Sequence, residues 1–209
     1  VGAAVGYLRD APLAIEPRKQ WPAGLTRVKG RLNDLAVEEG RALCRWTDGG
    51  WGDLVRDAVR SGTPVPPEAL AATAALVKGW EAFVAAGGLD TGWVAPVPSG
   101  RADPATGGEV VSRLAAELAR SLGLPLHPAI ALRIAHEPQA AMENSAQQVE
   151  NILSAFELER GTDPMPPGPV LLVDDTTSSR WTLTVVGALL RREGSGPVFP
   201  LVLADRRAG

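Results

Sequence analysis

The chain is poor in several residue types and signals at once. It has a single cysteine, Cys44, so no internal disulfide and no cysteine-based zinc cluster can form. Lysine is scarce, 3 against 18 arginines, and with abundant alanine and glycine this suggests a GC-rich genome. No apolar run approaches the roughly 18 residues of a membrane span, and no stretch reads as a signal peptide. The expected compartment is therefore cytoplasmic, with no membrane partner. No Gly-x-x-x-x-Gly-Lys-Ser/Thr loop occurs, so these residues hold no nucleotide-driven motor of that kind. A large charge excess is missing too: the net charge is −3, with 11 basic and 11 acidic residues over 1–90 and 10 and 13 over 91–209. That balance excludes a strongly basic nucleic-acid binder.

What is present is an ordinary globular composition, 45% hydrophobic over 209 residues, enough for one large domain or one with a small appendage. The first residue, Val1, stands in sequence that reads as mid-structure, as in a piece of something longer.

Residues 1–31 are rich in proline and glycine, and Pro17 and Pro22 disfavour helix, so extended backbone is expected. Arg18, Lys19, Arg27, Lys29 and Arg31 follow one another without an acid between Pro17 and Asn33. They are candidates for DNA phosphate contact, with Trp21 free to stack on a base. The alternative is a solvated charged segment whose tryptophan packs inward.

Residues 32–48 space Leu32, Leu35, Ala36, Leu43 and Trp46 approximately as a helix would, which puts Cys44 on a helix as a packing residue. A second helix is expected over 51–59, and a third from Pro66 or Pro67 to about residue 85. Residues 1–90 thus read as an arm and a mostly helical subdomain.

From residue 91 strand and helix signals alternate. Strands are expected at 93–97, 126–134, 155–158, 169–173 and 198–203; helices at 109–122, 143–153 and 181–193. Spacing of this kind predicts βαβ units and a mainly parallel five-stranded sheet flanked by helices, an α/β fold over 91–209. His127 and His136 lie beside no motif and read as structural or surface residues.

The densest chemistry is in 169–182. An apolar run ends in Asp174 and Asp175, passes Thr176, Thr177, Ser178 and Ser179, and enters a helix through Arg180, Trp181 and Thr182. Carboxylates at a strand end can grip ligand hydroxyls, directly or through Mg²⁺, and hydroxyls at a helix start can bind an anion. The alternative is an Asp pair that merely caps a turn.

This stretch resembles the phosphoribosyl-pyrophosphate motif of type I phosphoribosyltransferases: four apolar residues, two acids, two variable residues, then a Thr-Thr-Gly-x-Thr loop. It is matched here by Val170–Val173, Asp174, Asp175, Ser178, Ser179 and Thr182. Arg180 stands where that family has glycine. Similarity to the ComF branch extends to Pro96-Val97-Pro98, to residues 113–125, and to Pro138-Gln139, Gln147, Asn151 and Ala155-Phe156. The closest resemblance is to the C-terminal module of actinobacterial RecQ-like DNA helicases. There a Ser-Arg-Trp-Thr loop and a segment like residues 15–22 recur, as do Met142-Glu143-Asn144-Ser145 and Gln148. The resemblance covers about residues 92–205.

The resemblance implies a phosphate- and ribose-binding set of Asp174, Asp175, Thr176, Thr177, Ser178, Ser179, Arg180 and Thr182. It also implies an anion loop at Ser99, Gly100 and Arg101. It allows Mg²⁺ and phosphoribosyl pyrophosphate without requiring either. No catalytic residue and no dedicated metal ligand is expected, because neutral Ser178 stands where some members carry an acid as general base. The implied role is a non-catalytic accessory module of an ATP-dependent helicase for DNA unwinding and repair. Its partners would be the upstream helicase domains, DNA reached chiefly through them, and a phosphorylated small molecule. The alternative is an active phosphoribosyltransferase.

Overall fold

A computed structural model describes residues 13–98, 108–133, 144–159 and 164–207, with the side chains of residues 108 and 109 not described. Seven strands and six α-helices are present among these residues: β1 (Leu13–Ile15), β2 (Gly40–Arg45), α1 (Trp51–Ser61), α2 (Pro67–Lys78), α3 (Glu81–Ala85), β3 (Trp93–Pro96), α4 (Gly108–Leu122), β4 (Ile130–Leu132), α5 (Ser145–Ala155), β5 (Phe156–Leu158), β6 (Val170–Thr177), α6 (Trp181–Arg192) and β7 (Val198–Asp205).

The main sheet has five strands in the order β1-β2-β7-β6-β3. The pairs β2–β7, β7–β6 and β6–β3 are parallel and β1–β2 is antiparallel, so the α/β class holds with a mixed sheet. Successive residues of β6 serve the two faces in turn. Val170 and Leu172 enter one core with α5, α6 and Trp21, while Leu171 and Val173 enter the other with α1–α4. All four are fully buried. A run without polar alternation is what a strand covered on both sides requires.

Three expectations are corrected. Residues 32–48 are not a helix: after a single 3₁₀ turn at Asn33–Leu35 the chain becomes β2. Ala42, Leu43 and Cys44 are short and apolar, and β7 offers a strand edge that buries all three. Periodicity cannot distinguish such a run from a buried helix. Gly40 permits the approach, since a Cβ there would lie 2.7 Å from the Pro200 carbonyl oxygen. Pro200 has no N–H, and the β2–β7 pairing starts one residue later, at Arg41 and Leu201. Cys44 is accordingly a buried strand residue, its thiol donating to the Leu203 carbonyl at 3.3 Å.

The strands expected at 126–134 and 155–158 are present as β4 and β5, but they pair antiparallel with each other in a separate ribbon. The main sheet is completed instead by β1 and β2, from the stretch expected to be mostly helical. The third helix is two, interrupted at Gly79. The remaining helices match closely. Pro67 opens α2, Gly62 and Gly123 follow α1 and α4 with positive φ, and Asn144 caps α5 by accepting from the Gln147 N–H at 3.0 Å.

Candidate functional site

Topology selects a position along the carboxyl edge of the sheet. On leaving β3 the chain passes through α4 and returns beside β3 at Leu126, on the edge away from β6: the Val94 N–H donates to the Pro125 carbonyl and the His127 N–H to that of Val94. The chain later forms β6 on the other edge of β3 and continues through α6 to β7. Crossovers in opposite directions put α4 and α6 on opposite faces, as their membership of the two cores confirms. The crevice where the winding reverses therefore lies outside the carboxyl ends of β3 and β6. Ligands of open α/β sheets bind at such a point.

The β6 side of this crevice carries the acids and hydroxyls. Pairing of β3 with β6 ends near Val173, whose carbonyl accepts from the Val97 N–H, whereas β6 continues to Thr177 against β7. The strand thus extends four residues beyond the expected 169–173. Asp174 and Asp175 are consecutive strand residues, and the pleat sends them to opposite faces. Asp174 Oδ1 accepts from the Asp175 N–H at 2.8 Å, and the Thr176 hydroxyl donates to Asp175 Oδ1 at 3.1 Å. Asp175 and Thr177 are buried, at 9% and 6% exposure. A carboxylate pair split between two faces does not converge on one Mg²⁺, so the pair does not fit a shared cation. No group of three or more metal-ligating side chains occurs among the described residues.

The loop is shorter than expected. Thr176 and Thr177 belong to the strand, leaving Ser178, Ser179 and Arg180 before α6 starts at Trp181. Arg180 has φ of 68° and ψ of 0°, and Asn33 is the other non-glycine residue with positive φ among those described. Glycine takes this conformation freely; an arginine there costs about 1–2 kcal/mol. Its carbonyl accepts from the N–H and the hydroxyl of Thr184, at 3.0 and 2.9 Å. Thr182 lies in the first turn of α6.

The Arg180 side chain turns to the N-terminal arm, donating through Nη1 to the Glu16 carbonyl at 3.0 Å. The arm reciprocates. Arg18 donates through Nη2 to the Ser179 carbonyl at 2.9 Å, and its guanidinium lies 4.4 Å from the centre of the Trp181 ring. Burial lowers the pKa of both arginines, and Arg207 lowers both further. Two buried donors at this junction, Arg180 Nε and Trp181 Nε1, have no hydrogen-bond partner among the described residues. Buried donors are nearly always paired, so the two mark an unusual spot.

The remaining basic residues of the arm disperse. Trp21 is 8% exposed and packs in the first core, the inward alternative for this residue. Residues 19–32 close on themselves through the Trp21 N–H to the Gly30 carbonyl and the Leu32 N–H to the Lys19 carbonyl. Lys19, Lys29 and Arg31 are exposed there. Arg27 reaches α5, donating to Ser154 Oγ at 3.3 Å with Glu150 at 3.6 Å. Ser99, Gly100, Arg101 and His136 lie outside the described residues. His127 packs edge-on against Trp93 with ring centres 5.4 Å apart, a structural placement.

Sequence reasoning missed the end of β7. Asp205, 4% exposed, accepts from Arg207 Nε at 2.8 and 3.0 Å and from its Nη2. That pairing raises the pKa of Arg207. A strand assigned two residues further would have placed Asp-Arg-Arg at the carboxyl edge, which was the available signal. The chain matches no protein-family model and no curated protein.

Proposed function

We propose that this chain is a non-catalytic module of type I phosphoribosyltransferase fold, accessory to an ATP-dependent RecQ-like DNA helicase that serves DNA unwinding and repair. A phosphate or nucleotide pocket lies at the β3–β6 crevice. In this reading residues 91–209 are the transferase-like unit and residues 1–90 supply its arm, its helices and the sheet strands β1 and β2, all working in the cytoplasm beside the upstream helicase domains. Asp174, Asp175, Thr176, Thr177, Ser178, Ser179 and Thr182 are the proposed ligand-side residues, with the Arg180 side chain held by the arm. Ser99, Gly100 and Arg101, outside the described residues, are the candidate anion loop.

The observation that carries the reading is the backbone at Arg180. A loop between strand end and helix start has kept the left-handed conformation for which glycine is the natural residue. The side chain in that position is bound to the arm instead of open to a phosphate. Loop geometry without glycine, and acids on two faces of the strand, support binding without transfer.

Calorimetric titration with phosphoribosyl pyrophosphate and Mg²⁺, paired with an assay for pyrophosphate release, tests this. Heat without turnover is expected. Turnover would establish the active transferase instead, and absence of heat with every phosphate ligand would remove the pocket. DNA binding by the chain itself is weak and falls with salt; submicromolar affinity at physiological salt would overturn that part. Helicase motifs are expected in the reading frame upstream of Val1.

A further inference from the structure

A second feature lies on the other side of the Ser178–Arg180 loop, away from the β3–β6 crevice. There a cleft of about 300 Å³ is lined by Leu13 and Ala14 of β1, Arg45 at the end of β2, and Asp205 and Arg207 at the end of β7. The Arg45 and Asp205 positions are paired across the sheet. Thr177 pairs with Asp205, and its carbonyl accepts from the Arg206 N–H at 2.7 Å, so the loop starts directly beside the cleft. Arg180 and Arg18 stand on that loop and its arm.

The charges around the cleft do not balance among the described residues. Arg45, Arg207 and Asp205 line it. Arg18, Arg180 and Glu16 lie near enough to act electrostatically on Arg207 or to feel it. That is four positive groups against two negative, which leaves two positive charges among them. Just outside, Arg206 over the Trp46 ring and Asp48, whose carboxylate accepts from the Arg45 N–H, offset one another. Asp205 is the buried acid and is already engaged by Arg207 in a two-pronged contact. Glu16 is 81% exposed at its side chain and sits 4.0 Å from Arg180, so it neutralises little. Guanidinium groups gathered in a polar cleft with two charges in excess suit a tetrahedral dianion, whose oxygens accept several charge-assisted hydrogen bonds at once.

We propose that the cleft between β1, β2 and β7 is an anion site for a phosphate dianion, free or as a monoester, held by Arg45 and Arg207 with Arg180 and Arg18 behind them. The site is separate from the β3–β6 pocket and does not depend on it. Asp205 is a positioning residue: it fixes the Arg207 fork so that its outer edge faces the cleft.

The test is calorimetry on the 209-residue chain with inorganic phosphate and with a nucleoside 5′-monophosphate, at constant ionic strength in chloride. Arg45 is exposed at a strand end, so Arg45→Gln should leave the melting temperature unchanged. It should weaken phosphate binding by about ten-fold, the loss expected for one charge-assisted hydrogen bond. Ser178→Ala, in the set proposed for the β3–β6 pocket, should leave the Arg45-dependent part of phosphate binding intact, so failure here is distinguishable from failure of that pocket. Monoester binding tighter than phosphate assigns the dianion to a nucleotide, and equal binding assigns it to phosphate itself. No saturable phosphate binding, or equal binding by wild type and Arg45→Gln, would overturn the proposal.

Discussion

The two ends of β6 are built on opposite terms. At its start, backbone packs on backbone. A Cβ at Gly168 would lie 1.9 Å from the Thr91 carbonyl oxygen, while the Gly168 carbonyl accepts from Trp93 Nε1 at 3.1 Å and the Gly196 N–H at 3.2 Å. At its end, a residue with a large charged side chain occupies a conformation that suits glycine. The first end uses glycine where space requires it. The second declines glycine where conformation would favour it. The start of the strand is closed by packing, and its exit carries the strain, where a functional constraint can account for the cost.

The comparison can be broken most easily at the packed end. Gly168→Ala should cost about 3 kcal/mol, because the obstruction is backbone that cannot rotate away. Urea unfolding measures it, and a loss below about 1 kcal/mol would mean the two ends are not so different.

At the exit, Arg207→Ala should cost about 2 kcal/mol, since Asp205 stays buried without its fork. Adding Asp205→Asn to that variant should restore part of the loss in the same experiment. Equal stabilities for the single and double variants would show that the residue-207 backbone N–H, which donates to Asp205 Oδ1 at 3.0 Å, is enough to hold the acid.

Smaller still is the effect at the loop. Arg180→Gly should be more stable than Arg180→Ala by about 1 kcal/mol, because both remove the contact to Glu16 and only glycine relieves the positive φ. Thermal melts of the pair isolate the backbone contribution, and identical melts would remove strain from the account.

The smallest effect at neutral pH concerns the apolar layer beneath the exit. Burial, and secondarily Asp48, pushes the Cys44 thiol up from 9.0 to about 12. The folded pKa lies above the unfolded one, so this group's contribution to stability is whole below pH 9.0 and is lost as pH rises towards about 12. Native protein should resist thiol alkylation at pH 8 and react on unfolding. Rapid alkylation of the native state would place Cys44 outside the sheet.

Several elements could be read directly from residue pattern. The helices at 51–61, 108–122 and 181–192 have their apolar spacing and stop signals in the local sequence, and Val170–Val173 is apolar enough to require cover on both faces. Residues 40–45 could not be read this way. Ala42, Leu43 and Cys44 suit a strand or a helix, and the choice was made by the β7 edge about 160 positions away in sequence. The same holds at the site. The Asp174–Thr182 run announced acids, hydroxyls and a misplaced arginine, but strand continuation to Thr177 set the carboxylates on opposite faces.

Sequence alone determined the class of layers and the chemical content of the β6 exit, because burial on two faces and loop chemistry are written in neighbouring residues. Tertiary structure decided which strands complete the sheet, where Arg180 points, and that Arg45 and Arg207 share a cleft. Those outcomes depend on the closure of long segments, whose contacts are rewarded only once distant edges meet. No local periodicity encodes them.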